Sequence, residues 1–304
     1  IGCNASTLLC LNLEGELVWR YDGYLAFAKQ SKLKRLVINT FNHLFYDYEF
    51  KKFMKINTWV SPNLVNDKKI AFVFYGLGLV LLDKDSGQVV WQKSLGNPGY
   101  HLAGVAVVAD EGRDFIAVIG QNSGLHLFQE DGNLRWKKKP FFRSNAWANP
   151  SIDPQEKCIY HSESFFNKKA IVYKTDLNGT TLWKREFPFG CRASVAISRK
   201  NFIVFLGLNG TVYYLDKATG KELYSLAIAS KDRGLWTSPS LMANDHVLIN
   251  TKKTVKKGSL VCLSEKAELV WEIEYAKALS VPVIDSNGFL YSATWAGDFY
   301  KFKK

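Results

Sequence analysis

The chain has 304 residues, of which 47% are hydrophobic, and a formal net charge of +12 at pH 7. This composition supplies ample apolar material for a core, and it excludes a transmembrane helix because no apolar stretch approaches the length of a membrane span. The excess of positive charge favours an anionic partner such as nucleic acid, acidic lipid or an acidic protein, although lysines that only keep the surface soluble explain it as well.

An aromatic residue, usually tryptophan, returns along the chain at a nearly regular interval. These anchor residues are Trp19, Phe53, Trp91, Trp136, Trp183, Tyr224 and Trp271, separated by 34, 38, 45, 47, 41 and 47 residues. Five of them follow a glycine by four residues, namely Gly15, Gly87, Gly132, Gly179 and Gly220. Self-similarity at this period predicts stacked units, none of which can bury its own apolar face alone.

The stretch around Tyr224 shows the repeating unit most clearly. An apolar run at residues 212–216 leads into an Ala-Thr-Gly turn and a second run at 222–224. β-Branched and aromatic runs joined by such a turn predict a hairpin, in which glycine supplies the positive φ. Two further runs follow at 238–242 and 246–250, and no stretch keeps a helical period over three turns. Each unit is therefore predicted to contain four antiparallel strands, A to D, with the anchor in strand D.

The repeats resemble the PQQ-like (quinoprotein-type) propeller repeat, which combines a strand, a Thr-Gly or Asp-Gly turn and a tryptophan four residues after the glycine. A polar or valine residue followed by proline also recurs at the start of strand A, at Ser61-Pro62, Asn149-Pro150, Ser238-Pro239 and Val281-Pro282. The resemblance covers nearly the whole chain. It implies a β-propeller whose anchor aromatics are structural and pack against the neighbouring blade. WD40-like repeats are disfavoured because the chain has neither a Trp-Asp dipeptide nor a Gly-His pair.

Eight strands of type C are predicted, near residues 8–13, 44–48, 79–83, 125–129, 171–175, 212–216, 260–263 and 299–302. We therefore predict an all-β fold, with one propeller domain over residues 1–304 that starts and ends within a blade. Eight blades are preferred, and seven blades with a spare N-terminal hairpin are the alternative.

The resemblance is not expected to extend to redox chemistry. Quinoprotein dehydrogenases of this fold use a larger propeller, calcium, a catalytic aspartate and a disulfide between adjacent cysteines, whereas no two cysteines are adjacent here. Residues 83–87 look like a calcium loop, but glycine falls at the fifth loop position and Ser94 at the twelfth, which predicts a hairpin turn. We expect no catalytic residue, no metal site and no cofactor, so that neither PQQ nor calcium is bound.

A second set of aromatic and basic residues precedes the predicted strands A. Three tryptophans each stand three residues before a strand-A proline, and a histidine and an arginine take the same position in the intervening blades. Strand A lines the channel of a propeller, so these side chains are expected at the channel mouth with residues from the B–C loops. The alternative is that they only pack between neighbouring strands A. The predicted binding face is Trp59, Tyr75, His101, Trp147, Arg192, Trp236 and Trp295.

The function expected from these patterns is a non-enzymatic scaffold that binds a macromolecule, with a protein preferred, through one face. Two alternatives stay open: an enzyme or small-ligand binder at the channel mouth, and an electrostatic binder of nucleic acid or anionic membrane. Members that resemble this architecture include a bacterial outer-membrane assembly lipoprotein. The five cysteines have no tight spacing. Free buried thiols favour a reducing intracellular compartment over the periplasm or the outer-membrane periphery.

Overall fold

The computed structural model describes residues 2–3, 7–29, 60–74, 77–95, 103–120, 123–140, 147–165, 167–229, 235–254, 257–278, 280–294 and 297–302. The chain divides into two compact units, unit 1 (Ile1–Pro150) and unit 2 (Ser151–Lys304). Within the described ranges, no helix has the length and apolarity that a membrane crossing requires.

The described part of unit 1 holds three antiparallel sheets. Sheet 1 consists of β1 (Gly2–Cys3), β2 (Thr7–Leu11) and β3 (Leu17–Asp22), and the short helix α1 (Gly23–Ala28) follows it. Sheet 2 consists of β4 (Asn63–Val65), β5 (Lys69–Phe74), β6 (Gly78–Asp83) and β7 (Val89–Lys93). Sheet 3 consists of β8 (Val105–Asp110), β9 (Arg113–Gly120), β10 (Gly124–Gln129) and β11 (Leu134–Lys137).

The described part of unit 2 holds four antiparallel sheets. Sheet 4 consists of β12 (Ser151–Asp153), β13 (Cys158–Phe165), β14 (Lys169–Asp176) and β15 (Thr181–Phe187). Sheet 5 consists of β16 (Ala196–Ile197), β17 (Phe202–Leu206), β18 (Thr211–Asp216) and β19 (Glu222–Ala227). Sheet 6 consists of β20 (Ser240–Leu241), β21 (Val247–Lys252), β22 (Lys257–Leu263) and β23 (Leu269–Ala276). Sheet 7 consists of β24 (Val283–Ile284), β25 (Leu290–Ala293) and β26 (Phe299–Phe302).

Every sheet hydrogen-bonds its strands in chain order, so the prediction of antiparallel four-stranded units is confirmed. In a four-stranded sheet the strands are labelled A to D; the described residues of sheet 1 supply B to D, and those of sheet 7 supply A to C. Seven predicted C strands are present as β2, β6, β10, β14, β18, β22 and β26. The eighth, near residues 44–48, lies outside the described residues.

Because the strands alternate in direction, the A–B and C–D turns lie at one edge of each sheet, which we name the turn edge. The B–C turns and the connections from D to the next A lie at the opposite edge, which we name the connection edge.

Strands B and C form the interior of these units, and strand D lies outside. All five residues of β17 are buried, whereas four of the first five residues of β23 are exposed. Apolar side chains from facing sheets fill the space between neighbours, as in the core that Phe187, Phe205 and Leu215 share between sheets 4 and 5. Sheet stacking therefore supplies the burial that one sheet cannot supply alone.

The anchor residues occupy one register position in six described sheets. Each lies on strand D opposite a strand-C residue, and the ladder shifts at a β-bulge directly afterwards. The opposed pairs are Cys10–Trp19, Leu81–Trp91, Leu127–Trp136, Lys174–Trp183, Tyr214–Tyr224 and Cys262–Trp271. The prediction that the tryptophans stand at matching positions is confirmed.

Three anchor tryptophans donate a hydrogen bond to the next sheet of their own unit. The indole Nε1 to carbonyl oxygen distances are 2.7 Å for Trp19 to Lys84, 2.9 Å for Trp91 to Glu130 and 2.8 Å for Trp183 to Lys217. In each case the acceptor is the first residue after strand C. One side chain thus joins two sheets by packing and by a hydrogen bond, in the structural role that the resemblance implies.

The contacts of Trp19 show that sheets 1 and 2 are neighbours. Trp19 and Tyr21 pack with Phe72 and Phe74 in one apolar core, so sheets 1 and 2 are direct neighbours. Phe53, the anchor of one predicted blade, lies outside the described residues, and the preference for eight blades is not confirmed.

Candidate functional site

The candidate site lies at the connection edge, on the segments that lead into strands A. Three residues of the predicted binding face fall in the described ranges: Trp147 before β12, Arg192 before β16 and Trp236 before β20. The other four, Trp59, Tyr75, His101 and Trp295, lie outside the described residues.

The segment that carries Arg192 is held against the end of strand B of sheet 4. The backbone N–H of Gly190 donates to Asn167 O at 3.0 Å, and that of Cys191 donates to Ser164 Oγ at 3.1 Å. Cys191 and Ala193, on either side of Arg192, are both buried. Burial raises the pKa of the Cys191 thiol to about 12, so this cysteine is a packing residue and not a nucleophile.

Arg192 and Trp236 lie together. The guanidinium carbon of Arg192 is 4.2 Å from the centroid of the Trp236 ring, which is cation–π distance. Trp236 is 49% exposed, whereas Arg192 is half-buried and burial lowers its pKa. The structure therefore brings together two of the predicted face residues and presents them partly to solvent.

Trp236 projects from a fixed backbone. Its neighbours Leu235 and Thr237 are buried, and the hydroxyl of Thr237 donates to Asn250 O at 3.0 Å. A further hydrogen bond, from Ser194 N to Ser238 Oγ at 2.9 Å, ties the segment before β16 to the segment before β20. These bonds set the spacing at which Arg192 and Trp236 stack.

Trp147 occupies the corresponding segment of unit 1. It is half-buried beside the buried Ala148, and Asn149 Oδ1 accepts a hydrogen bond from Gly104 N at 2.5 Å. Asn149 thus anchors this segment by accepting a backbone hydrogen bond, as Ser238 does before β20.

The sequence analysis did not predict the hydrogen bonds that the polar residues on either side of the strand-A prolines form with neighbouring sheets. The residue before the proline accepts a backbone N–H from the preceding sheet, as Asn149 and Ser238 do. The residue after it donates to a carbonyl of the following sheet, in the bonds Asn63 to Val105, Ser151 to Val195 and Ser240 to Pro282. The signal was available, because Ser/Asn-Pro-Ser/Asn occurs at residues 61–63, 149–151 and 238–240. The motif joins the innermost strands and positions the segments that carry the candidate site.

One Cys–His pair is close enough to suggest nucleophilic chemistry. Cys262 Sγ lies 3.9 Å from His246 Nδ1. Cys262 is fully buried, and burial raises the pKa of its thiol to about 11. A nucleophilic cysteine needs a lowered pKa and an accessible sulfur, so this pair does not fit that role.

The described residues do not fit the calcium and quinone sites of catalytic quinoproteins. Asp83 Oδ1 accepts hydrogen bonds from Ser86 N at 2.9 Å and from Ser86 Oγ at 2.7 Å, and these bonds lower the pKa of the Asp83 carboxyl. Asp216 closes its own turn with Thr219 in the same way. In the part of the chain that the structure describes, no three His, Cys, Asp or Glu residues are grouped to hold a metal, and four described cysteines are free thiols. The loop at 83–87 is the hairpin turn that its spacing predicts.

Comparisons with known proteins identify the architecture. Residues 168–293 match a protein-family model described as outer membrane protein assembly factor BamB. A sequence comparison with curated proteins gives no match.

Three of the solved structures that resemble the chain are described here. BamB from Moraxella catarrhalis is 15% identical with a TM-score of 0.71, over 99% of this chain and 80% of that one. A europium-containing methanol dehydrogenase is 12% identical with a TM-score of 0.70, over 98% of this chain and 75% of that one. The quinohemoprotein alcohol dehydrogenase from Comamonas testosteroni is 12% identical with a TM-score of 0.68, over 97% and 62%. At these identities the similarity shows the fold alone. The prediction of an all-β propeller fold is confirmed, and the family-model match supports PQQ-like repeats over residues 168–293.

Proposed function

We propose that this chain is a non-enzymatic propeller scaffold that binds a protein partner at the connection edge. The observation that carries the proposal is the stack of Arg192 on Trp236, which leaves the indole 49% exposed. Tryptophan and arginine are the residue types that most often dominate the free energy of protein–protein binding.

The surroundings of the pair favour binding over simple packing. The backbone on both sides of each residue is held by hydrogen bonds and buried neighbours, such as Cys191 beside Arg192 and Thr237 beside Trp236. Fixed side chains lose little conformational entropy when a partner arrives, so their contacts contribute more to affinity. The anchor Trp183 differs, because its indole is directed at a carbonyl of the next sheet.

The match to the BamB family model supports the proposal, since that protein is named as an assembly factor. The two dehydrogenases share the fold to a similar degree, and a fold by itself does not decide function. The proposal therefore rests on the residues. The other predicted face residues, Trp59, Tyr75, His101, Trp147 and Trp295, stay a prediction.

Site-specific photocrosslinking tests the proposal. Trp236 is replaced by p-benzoylphenylalanine, which keeps an aromatic ring, and the control carries the same residue at Leu223, which is 45% exposed on β19. We expect irradiation in a lysate of the source organism to give a discrete protein adduct from position 236 and none from position 223. Adding Arg192→Ala to the first variant should abolish the adduct. Equal adducts from both positions, or none from position 236, would refute the proposal.

A further inference from the structure

Asparagine followed by glycine occurs three times in the chain, at residues 178–179, 209–210 and 287–288. This dipeptide is chemically unstable, because glycine has no side chain to keep its backbone nitrogen away from the asparagine amide. The nitrogen attacks the asparagine Cγ, ammonia leaves, and a cyclic succinimide remains. Water then opens the succinimide to aspartate or to isoaspartate, in which the main chain runs through the side-chain carbon. The rate depends on how tightly the fold holds each turn.

Asn287 lies in an exposed turn of unit 2. The turn joins β24 to β25 at the turn edge of sheet 7, and both Asn287 and Gly288 are exposed. Asp285 closes it, because its Oδ1 accepts the backbone N–H of Asn287 at 2.9 Å and that of Phe289 at 2.8 Å. The two strands pair at only two positions. Few bonds therefore have to break before the turn opens and the nitrogen of Gly288 can react.

Asn209 is the matched case in which the fold holds the amide. Its Nδ2 donates to the hydroxyl of Tyr213 at 2.8 Å, and its Oδ1 accepts the backbone N–H of Thr211 at 3.2 Å. Gly210 is buried, and its carbonyl accepts two backbone N–H groups from the residues that follow β19. The flanking strands β17 and β18 pair at five positions. The amide and the attacking nitrogen are thus both kept in place.

Asn178 lies between these two cases. Its turn resembles that of Asn287, since Asp176 Oδ1 accepts the backbone N–H groups of Asn178 and Thr180 at 2.9 Å and 2.7 Å. The flanking strands β14 and β15, however, pair at six positions. A longer ladder makes opening of the turn more costly, so deamidation is expected to be slower there than at Asn287.

From this contrast we infer that Asn287 is a site of spontaneous deamidation, and that isoaspartate formed there weakens the pairing of β24 with β25. Isoaspartate adds one carbon to the main chain before Gly288 and a negative charge beside Asp285. The bonds from Phe289 N to Asp285 Oδ1 and from Asp285 N to Phe289 O, at 2.8 Å and 3.0 Å, both span the lengthened link. They cannot both keep their geometry, and the short ladder has little else to hold its register.

Phe289 extends this effect to strand C of the same sheet. The Nζ atom of Lys301, on β26, lies 3.7 Å from the centroid of the Phe289 ring, which is cation–π distance. The hydroxyl of Tyr291 also donates to Asp285 Oδ2 at 3.0 Å. A shift of Phe289 relative to Asp285 therefore disturbs contacts on all three strands of sheet 7.

Peptide mapping tests the modification site. The protein is kept for weeks in mildly alkaline buffer and digested with trypsin, which places Asn287, Asn209 and Asn178 in separate peptides, residues 278–301, 201–217 and 175–184. Isoaspartate is counted with an L-isoaspartyl methyltransferase and labelled S-adenosylmethionine. We expect it to accumulate about tenfold faster in 278–301 than in 201–217, with 175–184 between them.

Two variants change one site each. Asn287→Gln keeps an amide, but its longer side chain disfavours the five-membered ring, so isoaspartate should disappear from residues 278–301 and stay unchanged elsewhere. Tyr213→Phe keeps the ring and removes the hydroxyl that accepts Asn209 Nδ2. It should raise the rate in residues 201–217 alone.

Hydrogen–deuterium exchange tests the structural consequence. The backbone amides of β24 and β25 should exchange faster in aged than in fresh protein, whereas aged Asn287→Gln should match its fresh sample. Absence of isoaspartate from residues 278–301 overturns the site, and equal rates at Asn287 and Asn209 overturn its structural basis. If isoaspartate forms at position 287 and exchange does not change, the weakening of the β24–β25 pairing is wrong while the modification site stands.

Discussion

Gly220 has to satisfy two constraints at once, because its backbone φ is 69° and its Cα faces the indole of Trp183. The first constraint comes from the hairpin turn, where residues with a β-carbon are strained. The second comes from the neighbouring sheet, since a Cβ here would lie 2.7 Å from Trp183 Cε3. The tryptophan of one repeat and the glycine of the next therefore depend on each other.

Gly15 offers a matched control for this dependence. It has a φ of 87° at the equivalent turn, but a Cβ there would meet nothing within 4 Å. We expect Gly15→Ala to cost about 1 kcal/mol of stability from backbone strain alone. Gly220→Ala should cost about 3 kcal/mol or more, because Trp183 must also move out of a packed position. Urea unfolding of both variants measures the difference, and equal costs would show that the indole contact contributes nothing.

Sheet 5 has a tyrosine in place of the anchor tryptophan, and it still forms a hydrogen bond to the next sheet. Its anchor is Tyr224, which is 44% exposed, and the hydroxyl of Tyr214 on the opposed strand donates to Ser264 O at 2.8 Å. Ser264 is the first residue after strand C of sheet 6, the position whose carbonyl accepts the indole elsewhere. Ala267 stands where the other repeats have glycine, with a φ of 63°. Because no indole covers this turn, a methyl group fits.

Sheets 4 and 5 are joined by a buried ion pair in addition to the tryptophan. Lys217 Nζ donates to Asp153 Oδ2 at 2.7 Å, and the two side chains are 4% and 3% exposed. Lys174, itself paired with Glu156, donates to the carbonyl of Lys217 at 2.9 Å. Burial alone would raise the pKa of Asp153, but the hydrogen bond and charge of Lys217, with two backbone N–H groups, lower it overall. The pair therefore stabilises the fold at neutral pH and loses that contribution as the pH falls through the lowered pKa of Asp153.

Removing the lysine should reverse this pH dependence. In Lys217→Met the Asp153 carboxylate stays buried without its cation, so its pKa rises above the ordinary value of 3.8. We expect a loss of about 3–5 kcal/mol at pH 7, which becomes smaller toward pH 4 as Asp153 takes up a proton. Lys200→Met, which breaks the exposed pair with Glu265, is the control and should change stability little at any pH. Thermal melts from pH 4 to pH 8 report both, and a Lys217→Met loss that does not change with pH would contradict the assignment to Asp153.

The elements that the sequence predicted well are those whose signals are local. Glycine and tryptophan stand four residues apart, so a hairpin and its anchor can be recognised without knowing the rest of the chain. The ion pair of Asp153 and Lys217 joins residues that are 64 positions apart, so no local pattern in the sequence revealed it. The number of blades is not a local signal, because it depends on which sheets are neighbours, as the contact of Trp19 with sheet 2 shows.

At the scale of the whole molecule, the candidate site was predicted in part for the same reason. The equivalent position before strand A is periodic, which placed Trp147, Arg192 and Trp236 on corresponding segments. The stack of Arg192 on Trp236 depends on side-chain direction and on the Ser194–Ser238 hydrogen bond, and neither follows from spacing. In the sequence the charge is visible only as a total of +12, because its distribution over the fold depends on the order of the strands.

A shared fold with quinone-dependent enzymes makes cofactor binding the decisive test of whether this chain kept their chemistry. We expect the purified protein to bind neither PQQ nor calcium with submicromolar affinity. Calcium needs several carboxylate or carbonyl oxygens directed at one point. The carboxylates of Asp83 and Asp216 instead accept hydrogen bonds from Ser86 and Thr219 within their own turns. Asp83→Asn should therefore lower stability slightly through the weakened turn and leave calcium titrations unchanged. Calorimetry with PQQ and calcium, separately and together, measures this, and submicromolar binding of either would show that the site is built from residues other than these turns.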